Sequence, residues 1–557
     1  MNRLFRTGLL IVLALALTVP AMASAQEEKV VTIGIGTEPS TLDPRNYSFL
    51  QSTFAISWRM FEPLFYHDTR NGDLIPALAE SYELLSPTRY QFNLRQGVKW
   101  HDGEPFTAED VAWTLTRTPG RIAEYLLDPE NPVEIVDDYT IIVNTDGEVG
   151  PFIYQTVALN WRMLPEHILE PYFAPYREMS DEELLEVLEG IGKEPAEGET
   201  PLERVLFELD KGTDLLKEVV DDAGNPVYIG TGPFKFESWE RGVQITMVAN
   251  DDYWGGRPNI DRLVWRWIEE DATRVIELES GGFDLIIGVP EEEIERLQDD
   301  PNIEVIASPG LNYRIVTLNL RTPALADLKV RQAIAHALNV EELQLLFPEG
   351  MTVRTCGPLP VSSPFYNDAV PCYEYDPDLS RTLLEEAGWD PNTVIKFKIT
   401  SNDLLEAQLI QAFLADVGIT VELETVESAT YSADVRQGRS EMAMFTFGNV
   451  VDPDHMFWVF HGDWLGAGKV TGTNGIFGYD DPDVNAWTVE GQTTADPDAR
   501  KALYDQAQMK IVEDIPAIFL YSRAETTAYR TDRLTGIQAM PRPTDVFYWL
   551  ATADVIQ

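Results

Sequence analysis

FTFGNVVDPDH, residues 445–455, places Asp452, Asp454 and His455 almost side by side, next to the amide Asn449 and the turn-former Pro453. Two carboxylates and an imidazole at that density could serve a metal site, general acid–base catalysis, or a turn that lines a ligand cleft. The rest of the chain offers little to complete a reaction centre. A phosphate-binding loop needs glycine, four residues, then Gly-Lys-Ser/Thr. The nearest stretch, LGAGKVTG at 465–472, has Asp463 where the first glycine belongs and Val470 after the lysine. Neither the G-x-S-x-G nucleophile elbow nor the H-E-x-x-H zinc helix occurs. The six histidines (67, 101, 167, 336, 455, 461) are scattered, and only His455 and His461 are close in sequence. One histidine does not make a metal site, so neither a metal nor a cofactor is expected. With 92 Asp and Glu, carboxylate pairs arise everywhere by chance and their spacing discriminates nothing. His101 and Asp102 fall at a strand-to-turn junction, which favours a structural role. The chain reads as a non-enzyme with no catalytic residues, and an exported hydrolase stands as the alternative of another class.

The elements that would position these groups begin after a leader. MNRLFRTGLLIVLALALTVPAMASAQ has Arg3 and Arg6, an uncharged run from Gly8 to Val19, Pro20, and Ala23-Ser24-Ala25 as a cleavage signal. That is a secretory signal peptide over residues 1–25, too short in its apolar run for a membrane span. Gln26 follows the cut, so no cysteine is offered for a lipid anchor, and an exported, soluble protein is expected. The formal charge is −50, and removal of the two leader arginines takes it to −52. Such a charge repels nucleic acid and anionic lipid. Cys356 and Cys372 are the only cysteines, and in an oxidising compartment a structural disulfide worth roughly 3 kcal/mol is expected between them.

Strand and helix patterns then alternate, as in α/β layers. VVTIGIG, PFKFESWE, VQITMVAN, LVWRWIEE, VIKFKIT, ITVELETV and AIFLYS read as strands. VRQAIAHALNVEEL, SRTLLEEAGW, EAQLIQAFLADVG and ARKALYDQAQMKIVED read as helices. Thr107 and Asp110 form a capping box ahead of AEDVAWTL. Between 179 and 222 the chain turns acidic, with capped starts at Ser180 and Thr200-Pro201. Leu184, Leu185, Leu188 and Ile191, then Leu202, Val205, Leu206 and Leu209, recur at helical spacing as in a surface helical hairpin.

Several stretches, in one order over the mature chain, resemble the extracytoplasmic solute-binding proteins that serve peptide and nickel importers of the ATP-binding-cassette (ABC) type. They are TEPSTLDP, LIPALAESYEL, FNLRQGVKWHDGEPFTAEDV, GTGPFKFESW, YRIVTLNLRTPALADLKVRQAIAHALN, LLEEAGW and DIPAIFLY. The resemblance implies an α/β, two-lobed clamshell of the class II type with an additional N-terminal α+β domain. Lobe I would combine 27–64, 231–307 and 522–557, the extra domain would take 65–230, and lobe II 308–521. It implies a monomeric carrier that closes on a small solute and docks on an inner-membrane permease with separate ATPase subunits.

In peptide-binding members an aspartate three residues before an acidic-Pro pair meets the solute's α-ammonium. Here the pair is Asp452-Pro453 and the matching position is Asn449, which is neutral. The contact loop after LDP matches Tyr47, Ser48 and Phe49. The ligand-binding set expected from the resemblance is thus Tyr47, Ser48, Phe49, Phe447, Gly448, Asn449, Asp452, Trp458 and Trp464. A peptide is expected as solute, an oligosaccharide or other neutral solute is the alternative, and a nickel chelate is disfavoured.

Overall fold

The computed structural model describes residues 28–44, 51–70, 72–117, 127–150, 152–153, 162–195, 200–212, 228–448, 450–462, 476–494, 496–538, 540–542, 545 and 550–556. The leader, Tyr47, Ser48, Phe49, Asn449 and Trp464 lie outside the described residues.

Among the described residues twelve strands join into one large sheet with two halves. The first half is built on β1 (Val30–Ile35), whose Val31, Ile33 and Ile35 are buried. β1 runs parallel to β10 (Arg262–Trp267) and β11 (Leu285–Ile287). β9 (Gln244–Ala249) and β8 (Phe234–Glu240) extend it antiparallel beyond β10. The second half holds β15 (Val394–Ile399) between its parallel neighbours β16 (Thr420–Thr425) and β17 (Met442–Phe447). β17 then pairs antiparallel with β13 (Tyr313–Leu318), buried along its whole length.

One strand belongs to both halves. β18 (Ala517–Arg530) pairs through 517–521 with β13 and through 521–523 with β14 (Thr352–Arg354). From 524 to 530 it pairs instead with β12 (Ile303–Pro309), and through 527–529 with β11. The chain therefore passes between the halves at 309–313 and again at 523–524.

A separate four-stranded sheet orders β4 (Ala79–Ser86), β5 (Arg89–Leu94), β7 (Thr140–Asn144) and β6 (Val133–Asp137). Two ribbons complete the strands: β2 (Phe65–His67) with β3 (Leu74–Pro76), and β19 (Leu534–Thr535) with β20 (Asp554–Val555). Over the four-stranded sheet lies α1 (Ala108–Arg117). Asp110 Oδ2 accepts the Thr107 amide at 2.9 Å, one arm of the expected capping box, while Thr107 Oγ accepts the Glu109 amide instead of that of Asp110. His101 accepts the Gly230 amide at Nδ1 and its Nε2 bonds the Gly232 carbonyl, so it pins one chain segment to another. Burial pushes its pKa down to about 4, which keeps it neutral.

The acidic segment forms α2 (Asp181–Gly190) and α3 (Pro201–Gly212), the first with a complete Ser180–Glu183 capping box. Leu184, Leu188 and Val205 are buried between them. Leu185 and Ile191 are instead 46% and 54% exposed, because only one turn-spaced pair of α2 faces α3. Leu206 packs against the core under β1, which ties the hairpin to the main body. The expected disulfide joins Cys356 to Cys372.

Candidate functional site

Open α/β sheets offer ligand sites beyond the carboxyl ends of their parallel strands. In the second half those ends are Ile399 of β15, Thr425 of β16 and Phe447 of β17, and β17 ends beside the crossing. Val450 donates its amide to the Leu311 carbonyl at 2.9 Å, and Leu311 donates to the Pro541 carbonyl at 3.2 Å. The crossing itself is laced by Asn312, which accepts the Arg523 amide at 2.8 Å and donates to the Arg523 carbonyl at 3.0 Å. The wall that starts at Gly448 is thereby fastened to the place where the two halves would turn against each other.

Along this wall the expected residues separate. Gly448 is exposed and a side chain there would meet open space. Phe447 is turned inward, 7% exposed, against the rings of Tyr313, Phe445 and His455. Asp452 is 3% exposed, and its two oxygens accept Arg500 Nη1 at 2.8 Å and Nη2 at 2.5 Å. Its carboxylate is thus committed to a bidentate, buried partner from the helix Pro497–Asp514. Trp458 is half-buried and donates its indole N–H to Asp454 Oδ2 at 2.7 Å. Burial, then the neighbouring Asp452 charge, push the Asp454 carboxyl up to about 6. His455 is bonded to the Tyr313 hydroxyl at 2.8 Å, and burial pushes its pKa down to about 3. The three groups that opened the chemical question are therefore a folding knot behind the wall. No group of His, Cys, Asp and Glu suited to a metal is found among the described residues.

On the other side of β17 the same end of the sheet carries charges that sequence reasoning did not single out. Arg314 of β13 donates to Asp403 at 2.5 Å, to Glu406 at 2.9 Å and to Thr446 Oγ at 3.1 Å. Tyr521 donates to Glu406, and Arg523 lies 3.7 Å from it. Burial works to raise the Asp403 carboxyl, but the Arg314 charge and the Thr400 hydrogen bonds outweigh it and hold the group below the ordinary carboxylate range. Asp403 and Glu406 belong to the turn and first helical residues after β15, whose helix runs Leu404–Asp416. Arg314 could have been noticed as the one charge in the apolar run YRIVTL, whereas nothing in the sequence marked Arg500 or its pairing.

Residues 73–468 match the family of bacterial extracellular solute-binding proteins, family 5, over its middle region. The chain belongs to that family. A Brucella ovis protein named for peptide binding in an ABC transporter is 30% identical to this family 5 protein over 438 residues, covering 75% of the chain and 72% of its own. Heme-binding protein A of Haemophilus influenzae is 27% identical over 521 residues, 89% of the chain and 87% of the relative. Among solved structures, the ABC transporter-associated periplasmic binding protein DppA of Helicobacter pylori, in complex with peptide STSA, superposes with a TM-score of 0.70. It covers 95% of this chain and 98% of its own at 24% identity, which establishes the shared two-lobed fold. Family 5 consists of substrate-binding proteins, so the site is to be understood as one of capture.

Proposed function

We propose that this family 5 protein is the periplasmic solute-binding component of an ABC importer, closing on a peptide-like solute and delivering it to an inner-membrane permease whose ATPase subunits are separate. The leader at 1–25 would export it without a lipid anchor, and it would act as a monomer. Lobe I would comprise 27–64, 231–307 and 522–557, the extra domain 65–230, and lobe II 308–521. The observation that carries the reading is the sheet that, among the described residues, changes partners at two crossings, with the end of β17 tied to one of them through Val450 and Leu311. That arrangement supports a hinge with a binding wall at its root.

The wall would present Gly448 and Asn449, faced by Tyr47, Ser48 and Phe49, with Trp464 nearby. Asn449 is neutral, so an extended peptide would be held mainly through its backbone amides, as an added strand is. The inward Phe447 and the pinned Trp458 leave fewer free rings for stacking on a sugar, which supports peptide over oligosaccharide.

Thermal shift and calorimetry with short peptides, their N-acetylated forms and oligosaccharides test this. Peptides are expected to stabilise the protein whether or not the amine is blocked. Asn449→Asp is expected to introduce a preference for the free amine of about tenfold, the scale of one charge-assisted hydrogen bond. Stabilisation by oligosaccharides alone would overturn the peptide reading. Product formation from any of these compounds would favour the hydrolase.

A further inference from the structure

A second contact between the two bodies of the molecule lies away from the hinge crossings in sequence. Val149 and Phe152 are buried in the core of the four-stranded sheet with Tyr90, Phe92 and Val143, so Gly150 belongs to that body. Opposite it stand α4 (Pro482–Thr493) and α5 (Pro497–Asp514), whose Val484, Tyr504 and Ile511 pack with Phe447 and Phe460. The Gly150 amide donates to the Gln492 carbonyl, where α4 ends, at 2.6 Å. A Cβ on Gly150 would stand 2.6 Å from the Thr494 carbonyl oxygen, 2.7 Å from that of Gly491 and 2.9 Å from Arg500 Nε. Two of these neighbours are backbone. The third is held in place, since Arg500 Nε donates to the Gly491 carbonyl at 3.0 Å while its other two nitrogens grip Asp452. Gly72, between β2 and β3, approaches the same body: a Cβ there would lie 2.9 Å from Pro364 Cγ.

The covalent route between the two bodies runs through the large sheet and its two crossings. A turn about those crossings that draws the four-stranded sheet away from the end of α4 parts the Gly150 contact.

We propose that Gly150 and Arg500 form the clasp of the closed cleft. Gly150 is the backbone that docks, and Arg500 is the positioning residue that fixes the end of α4 relative to the Asp452 wall. The wall at 450–454 and the clasp then move as one piece: displacement of Asp452 carries Arg500, and with it the carbonyls that receive Gly150. This rests on the two-lobed fold and not on the identity of the solute. It also assigns a role to Asp452 that needs no contact with solute.

Amide hydrogen exchange on the full chain tests the clasp, first stripped of solute by unfolding and refolding and then with the peptide or oligosaccharide that gives the largest thermal shift. With that solute bound, the Gly150 amide is expected to exchange at least about tenfold more slowly than in the stripped chain, the effect of one stable hydrogen bond made on closure. Gly150→Val, whose side chain has no space against the α4 carbonyls, is expected to lose that protection while amides in β5 and β7 keep theirs. Arg500→Lys keeps a charge beside Asp452 but cannot serve Asp452 and the Gly491 carbonyl together. It is expected to lose most of the protection at Gly150 as well. A wild-type Gly150 amide that exchanges freely with solute bound, or a solute-bound Gly150→Val chain that keeps its protection, overturns the clasp. Protection retained in Arg500→Lys but lost in Gly150→Val overturns the positioning role of Arg500.

Discussion

At the scale of single residues, the acids of DPDH are burdened by burial rather than poised for reaction. Asp452 is matched by Arg500, whereas Asp454 must share the same pocket and rests on neutral donors, Trp458 and the Tyr504 hydroxyl. Sequence could show the cluster but not this division, because Arg500 stands 48 residues away and only the packing of α5 brings it back. The raised pKa of Asp454, about 6, has a definite sign in stability. Between about 4 and 6 the folded protein holds a proton that the unfolded chain has released. The contribution is present in full below the unfolded value, is lost as the pH rises through about 6, and is flat above. A shift of that size corresponds to on the order of 3 kcal/mol. Asp454→Asn removes the titration, so its stability relative to wild type is expected to grow by that order from pH 4 to pH 7. Urea unfolding of both proteins across this range checks it. A difference independent of pH would mean that Asp454 ionises freely in the fold.

At the scale of elements, the sequence was most legible where local signals agreed. The Thr107–Asp110 and Ser180–Glu183 boxes begin helices where expected, since a cap and its partner lie within one turn and need no tertiary context. β18 was legible only in part. AIFLYS is apolar up to its final serine, but the strand continues through RAETTAYR, whose polar residues belong to the change of partners from β14 to β12. α4 escaped notice because only Val484, Thr488 and Gly491 of its twelve residues are buried, too few to make a stripe. The acidic hairpin invites a prediction at this scale. Its own core is three buried side chains, so deleting part of it should open the hairpin locally instead of unfolding the molecule. Leu188→Ala is expected to cost about 2–4 kcal/mol at that site. Exchange at 181–190 should then accelerate strongly while the main thermal transition stays in place. A matching fall of the main transition would show the hairpin to be part of the central cooperative unit.

At the scale of the whole molecule, the resemblance carried the architecture further than periodicity could. Alternating strands and helices imply α/β layers, but nothing local says that β18 serves both halves of one sheet, a matter of contacts far apart in sequence. The same scale decides what the charge does. Lys and Arg number 42 against 92 Asp and Glu, so the excess cannot be paired and must stand largely on the surface. The ion pairs Arg500–Asp452 and Arg314 with Asp403 and Glu406 are buried and little screened by salt. Added salt therefore acts chiefly on the unpaired acids, whose mutual repulsion is greater in the compact state than in the expanded one. Raising sodium chloride from about 0.1 M to about 1 M shortens the screening length from roughly 10 Å to roughly 3 Å. The melting temperature is expected to rise over that interval, and to rise equally in potassium chloride, because screening depends on ionic strength and not on the cation. A melting temperature that stays level or falls would mean that attractive surface pairs outweigh the excess. A rise in one chloride salt only would point to specific cation binding among the carboxylates instead of screening.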